Sequence, residues 1–250
     1  MSSNKTQPIL PRNPGTDFQL ERFCDIQINR SAVEQRCASY GTRRSIKKDK
    51  QAAWLIKVIS LIDLTTLAGD DTNDRVRRLC RKAIHPVNEQ LLKKLELESL
   101  NISTAAVCVY HEMISGAAKV LKGTGVHLAA VSTGFPAGLS PLPLRIEEIK
   151  YSVDQGADEI DIVISRRLVL EGKWEELYHE VRMFREACGE AHLKTILATG
   201  ELGNLSTIAK ASQVCMMAGA DFIKTSTGKE PTNATLPVSL VMVRMIREYY

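Results

Sequence analysis

Lys224 sits in a run of strand-forming residues, Phe222-Ile-Lys224-Thr-Ser-Thr-Gly-Lys229. Burying an ammonium group is costly unless it is paired or loses its proton. Desolvation and a nearby cation both favour the neutral amine, and a neutral amine attacks a carbonyl to give an imine. The plainer alternative is a lysine whose stem lies between sheet and helices while its charge reaches water.

Two further charges interrupt apolar strands. Asp161 lies in Glu159-Ile-Asp161-Ile-Val-Ile-Ser165 and shares parity with Glu159 and Val163. Lys194 lies in His192-Leu-Lys194-Thr-Ile-Leu-Ala-Thr199 and shares parity with His192 and Ile196. If both point inward at one end of a barrel, they form an ion pair close to Lys224. An amine nucleophile, a carboxylate and a second cation are the parts that imine chemistry needs for attack and proton transfer. A structural ion pair filling a barrel interior fits the spacing equally well.

Thr227-Gly228-Lys229 follows the Lys224 strand. A glycine lets backbone N–H groups approach an anion and Lys229 supplies charge, so this turn could hold a phosphate. It is not a Walker A loop, because the upstream glycine and the following Ser or Thr are missing. Cys108 reads as a small core residue, since no histidine partner is evident. The five histidines are scattered, and no metal-ligand constellation appears.

The elements that must carry these residues alternate. Short apolar strands, bounded by turn residues, are expected at 104–110, 127–133, 159–165, 192–199 and 221–227, preceded by the apolar run 59–66, which ends in polar residues and includes Asp63. Helical spacing appears at 31–45, from Gln51 onward, and at 74–83, 117–122, 146–155, 174–188 and 206–218, with a closing helix at 236–248. Two of the helices end in Gly-Ala-Asp, at Gly156 and Gly219, where glycine is the expected cap before a strand. Six β-α units in succession argue for a parallel α/β fold. A doubly wound sheet and a (β/α)8 barrel both fit. Polar residues in or after nearly every strand (Asp63, Cys108, Thr133, Asp161, Lys194, Lys224) favour the barrel, where all strand ends share one face. No Gly-x-Gly-x-x-Gly turn supports the alternative.

Of 250 residues, 44% are hydrophobic and 25% charged, an ordinary globular composition rather than a disordered or membrane one. Residues 1–50 carry ten Lys and Arg against five Asp and Glu, so the net charge of +4 belongs to this segment. It is expected to be an N-terminal extension, with 1–20 disordered and the barrel occupying 51–250. The leader reads as a solvated basic stretch rather than a nucleic-acid-binding arm. Six cysteines without Cys-x-x-Cys spacing, and no signal-like or membrane-length apolar run, point to free thiols in a reducing compartment: the cytoplasm, with the nucleus also open.

Taken together, the segments Ile62-Asp63-Leu-Thr-Thr, Ala105-Ala-Val-Cys108-Val-Tyr110, Glu159-Ile-Asp161, Leu193-Lys194-Thr-Ile-Leu-Ala-Thr-Gly-Glu-Leu and Phe222-Ile-Lys224-Thr-Ser-Thr-Gly-Lys229 resemble the deoxyribose-phosphate aldolases, from about Gln51 to the C-terminus. The first 50 residues resemble the extension of the animal enzymes. The resemblance implies a TIM barrel and a class I aldolase that needs no metal or other cofactor. It implies a small phosphorylated sugar as substrate, 2-deoxy-D-ribose 5-phosphate, cleaved to D-glyceraldehyde 3-phosphate and acetaldehyde. It further implies that Lys224 forms the Schiff base, that Asp161 relays protons and that Lys194 supports the charge arrangement. Asp63, Cys108 and Thr227 match pocket positions, and Gly228 with Lys229 match part of the phosphate site.

The family's later motifs, Gly-x-Lys-Pro-Ala-Gly-Gly and a final Gly-Ala-Ser, do not occur in the 250 residues. The expected barrel is therefore truncated after its sixth β-α unit, with two strand edges open to self-association. A second reading follows, in which the barrel face binds ligand without turning it over.

Overall fold

The structure is a computed structural model and describes residues 11–43 and 45–250. Six strands alternate with helices: α1 (Arg30–Ala38), α2 (Lys48–Ile59), β1 (Asp63–Thr65), α3 (Asn73–Ile84), α4 (Glu89–Lys94), β2 (Ala106–Val109), α5 (Ile114–Leu121) and β3 (His127–Ser132) come first. Then follow α6 (Leu142–Asp154), β4 (Glu159–Val163), α7 (Arg166–Leu170), α8 (Trp174–Ala187), β5 (His192–Ile196), α9 (Leu205–Met217), β6 (Phe222–Lys224) and α10 (Leu236–Tyr249). The strands neighbour one another in chain order, and β1–β2, β2–β3 and β5–β6 pair parallel. A doubly wound sheet must reverse its order at a switch point. This sheet does not, so the order is that of the first six units of a (β/α)8 barrel.

Every strand expected from the sequence is present, shorter by one to five residues. The short helices α4 and α7 were not expected, because six and five residues are too few to show helical periodicity.

The chain divides into two compact units. In the first, residues 45–131 and 151–159, α3 shows how sequence makes an element. Thr72 caps it by accepting the Arg75 N–H, Asp74 lies in the first turn, and Arg81 and Lys82 lie in the last. Its stripe of Val76, Cys80 and Ala83 is fully buried. Gly116 of α5 admits Asn73, whose Oδ1 would be only 2.8 Å from an added Cβ. Helix α2 differs: Trp54, Leu55 and Val58 are 59%, 62% and 48% exposed.

The second unit comprises Pro11–Arg43, Ser132–Lys150 and Ile160–Tyr250. Its helix α9 is almost wholly buried, with Asn204 capping it through the Thr207 N–H. Helix α10 is capped by Thr235 and packs Val241 and Met245 into a cluster with Ala209, Met216, Val33 and Cys37.

Both Gly-Ala-Asp repeats perform one task. Gly156 and Gly219 take φ of +101° and +96° as helix caps. Within the first unit Asp158 accepts the Leu128 N–H through Oδ2 at 2.9 Å, and within the second Asp221 accepts the Leu193 N–H at 2.7 Å. Each aspartate thus anchors a strand beside the one it precedes.

The expectation of disorder at 1–20 fails over 11–20, while residues 1–10 lie outside the described residues. Asn13 is buried and its Nδ2 donates to the carbonyls of Met216 and Ala220, at 2.8 and 2.9 Å. Its backbone N–H reaches Asp221, Tyr178 Oη donates to Thr16 O, and Phe23 is fully buried. The prolines and lack of periodicity that suggested disorder reflect an irregular strap held by side-chain hydrogen bonds.

Candidate active site

Asp161 and Lys194 lie in β4 and β5, and Lys224 ends β6, all in the second unit. Period-two alternation sets their direction. In the β5–β6 ladder Lys194 stands opposite Phe222, and Ile196 opposite Lys224, so the two lysines share one face in successive layers. Asp161 meets both. Its Oδ2 accepts from Lys224 Nζ at 2.6 Å, and its Oδ1 lies 3.8 Å from Lys194 Nζ.

Burial separates the three groups. The Asp161 side chain is fully buried, that of Lys194 is 7% exposed, and that of Lys224 is 32% exposed. Asp161 Oδ1 takes no hydrogen bond among the described residues, so the Lys194 contact is ionic only. Lys194 also lies 5.6 Å from the centroid of the Phe222 ring, a cation–π distance. Two ammonium groups thus share one carboxylate. The more exposed one, Lys224, is the amine that a carbonyl from solvent can reach.

The strand ends are shaped by two residues with left-handed backbone. Thr133 follows β3 with φ of +64° and Ala198 follows β5 with φ of +53°. Thr133 stood among the polar strand-end residues as a candidate for chemistry, but its hydroxyl does backbone work. It accepts the Val163 N–H at 2.7 Å and lies 3.0 Å from Val163 O, holding β4 two residues after Asp161. Just beyond β4, Ser165 gives both its N–H and its hydroxyl to Glu180, which also pairs with Arg145 at 2.7 Å. Neither Glu180 nor Arg145 was singled out from sequence. Each charge, read on its own helix, looks like part of a solvated face until the fold buries the pair.

The Thr227–Lys229 turn is present, with Gly228 at φ of +82°. Gly228 and Lys229 are exposed, whereas Thr227 is buried. The Thr227 N–H is already held by the carboxylate of Glu230, at 3.0 and 3.1 Å. Asp63 and Cys108 belong to the first unit. Asp63 opens β1 opposite Ala106, and Cys108 is fully buried in β2 opposite Thr65. Among the described residues no His, Cys, Asp and Glu cluster could hold a metal ion, and no helix is long and apolar enough to cross a membrane.

The sequence model of the DeoC/LacD family aldolase matches residues 57–249. The chain belongs to that family. It is 55% identical to the deoxyribose-phosphate aldolase of Homo sapiens across 95% of this chain and 76% of that one. Among solved structures, a putative deoxyribose-phosphate aldolase from Coccidioides immitis superposes with a TM-score of 0.68 at 23% identity, covering 88% of this chain and 81% of that one. The tetrameric deoxyribose phosphate aldolase of Aeropyrum pernix gives 0.61 at 22% identity, covering 89% and 82%. Family membership makes this chain an aldolase-type lyase with the barrel fold expected from the sequence.

Proposed function

We propose that this aldolase cleaves 2-deoxy-D-ribose 5-phosphate through an imine on Lys224. The observation that carries the assignment is a part-exposed amine held 2.6 Å from a fully buried carboxylate. In the open-chain sugar, Lys224 Nζ adds to the C1 aldehyde and water leaves, giving a protonated imine. The C3 hydroxyl passes its proton through water to Asp161, and the C2–C3 bond breaks. Its electron pair moves toward the imine nitrogen, so an enamine forms rather than a bare carbanion. D-glyceraldehyde 3-phosphate departs. C2 then takes up a proton, and water hydrolyses the imine to release acetaldehyde and restore the amine.

Asp161 is placed to accept the proton that Lys224 must lose, and to return protons through water at C2. Lys194, buried behind it, holds that carboxylate in place. Gly228 and Lys229, exposed at the tip of their turn, are the groups offered to the 5-phosphate. The high identity to the human enzyme supports the same substrate. Self-association belongs to this reading as well, supported by the apolar side chains exposed on α2. A cytoplasmic setting fits the six free thiols.

The test is imine trapping. The chain is incubated with acetaldehyde and borohydride, and the added mass is located by peptide mapping. Reduction onto Lys224, absent in Lys224→Met, supports the assignment. No adduct, under conditions where the human enzyme is labelled, refutes it.

A further inference from the structure

Glu230 is the acidic residue that the site's chemistry does not use. It sits between the exposed tip Gly228–Lys229 and Pro231, yet it is only 9% exposed. Both of its carboxylate oxygens accept the Thr227 N–H, at 3.0 and 3.1 Å. Two more bonds tighten the same turn: the Lys229 N–H donates to Thr227 Oγ1 at 3.1 Å, and Asn233 Nδ2 donates to Glu230 O at 3.1 Å. The segment is also pressed against its neighbour, because Gly200 admits the Thr232 carbonyl where a Cβ would sit. Beneath the turn, Thr225 O accepts the Thr199 N–H at 2.8 Å, so its root is fixed to the segment that follows β5.

We propose that Glu230 is a positioning residue for the substrate's phosphate: its buried carboxylate stands in for an anion on the inner side of the turn and fixes the outward direction of Gly228 and Lys229. This rests on the reading of that tip as the phosphate site. A charge-assisted hydrogen bond to a backbone N–H is stronger than a neutral one. With the inner donor satisfied by the protein itself, the turn is already arranged when the substrate arrives, and less ordering accompanies binding. Glu230 acts through the shape of the turn. An unphosphorylated sugar, which makes no use of the tip, is indifferent to it.

The experiment compares 2-deoxy-D-ribose 5-phosphate with 2-deoxy-D-ribose, reading the half-saturation of borohydride trapping on Lys224. Glu230→Ala leaves the Thr227 N–H without its acceptor, whereas Glu230→Gln keeps an acceptor oxygen without the charge. The expected result is a rise of about tenfold for the phosphorylated sugar in Glu230→Ala, the size of one lost hydrogen bond. The unphosphorylated sugar should be unchanged, and Glu230→Gln should recover most of the loss. Equal weakening of both sugars would mean a general structural role and overturn the proposal. So would tighter phosphate-sugar binding in Glu230→Ala, which would show that the carboxylate repels the substrate. If the unaltered chain gives no adduct, the functional assignment fails first. Titration of the Gly228 and Lys229 amide resonances with inorganic phosphate then decides the point separately, and identical shifts in the unaltered chain and in Glu230→Ala overturn it.

Discussion

Asp161 Oδ2 lies 2.6 Å from Lys224 Nζ, and the carboxylate is fully buried while the amine is a third exposed. That asymmetry gives the pair a direction. The lysine can meet a substrate, and the aspartate can meet only the lysines and what enters the site. Asp161→Asn keeps the shape but cannot take a proton. Positioned acid–base groups contribute about 10²–10⁴-fold, so trapping on Lys224 should slow by at least about 10²-fold at neutral pH. An unchanged trapping rate would remove Asp161 from the proton path.

Lys194 lends itself to a separate test. It touches Asp161 only through the longer 3.8 Å contact and is itself nearly buried. Lys194→Met keeps the stem and its packing on Phe222 but leaves one cation for one carboxylate. Repulsion between ammonium groups then no longer favours the neutral form of Lys224. The pH at which trapping reaches half its maximal rate should move upward relative to the unaltered chain. A profile that does not move would make Lys194 a structural partner only.

The candidate site was legible in the sequence because charged residues in apolar strands are rare enough to stand out, and Asp161, Lys194 and Lys224 do converge. The alternation of strands and helices was legible for the same reason that it folds: each buried strand is a short run of β-branched and aliphatic residues. What stayed hidden depends on packing between distant segments. Nothing local marks Asn13 as buried, because its partners Met216, Ala220 and Asp221 lie some two hundred residues away. Glu230 likewise reads as a loop charge until the chain folds back and its carboxylate meets the Thr227 N–H.

The strap at residues 11–16 should therefore stabilise the second unit. Asn13→Ala would take the side-chain donor from the buried Ala220 carbonyl and leave the Met216 carbonyl with the Gly219 N–H alone. Stranding buried polar groups costs about 1–3 kcal/mol. Urea unfolding should show a loss in that range, and a change below about 0.5 kcal/mol would mean that the strap is dispensable.

The Arg145–Glu180 pair offers a larger effect. Both side chains are 7% exposed, and Glu180 also holds Ser165 at the end of the β4 segment. Removing one member of a buried pair leaves an uncompensated charge and costs about 3–5 kcal/mol. Glu180→Ala should lose that much in chemical denaturation. A double change, Arg145→Met with Glu180→Leu, should recover a large part of it, because the stranded charge is gone. If the double variant is no more stable than Glu180→Ala, the loss comes from the freed Ser165 N–H instead.

The buried thiols set the behaviour at high pH. Burial pushes Cys188 and Cys215 up from an ordinary 9.0 to about 12, and Cys80 to about 11. A thiol held protonated in the folded state keeps its proton over a range where the unfolded chain has released it. The unfolded state then binds fewer protons, and stability falls as pH rises. This contribution is whole below pH 9 and drains away between pH 9 and about 12. The folded chain should accordingly resist alkylation at Cys80, Cys188 and Cys215 at pH 8, where almost none of the reactive thiolate exists. Mass spectrometry after brief iodoacetamide treatment reads this directly, and all three should become labelled in denaturant. A parallel urea series from pH 8 to 11 should show a progressive loss of stability. Constant stability across that range, or rapid labelling of Cys188 in the folded chain, would show that these thiols are not held in the dry surroundings the fold gives them.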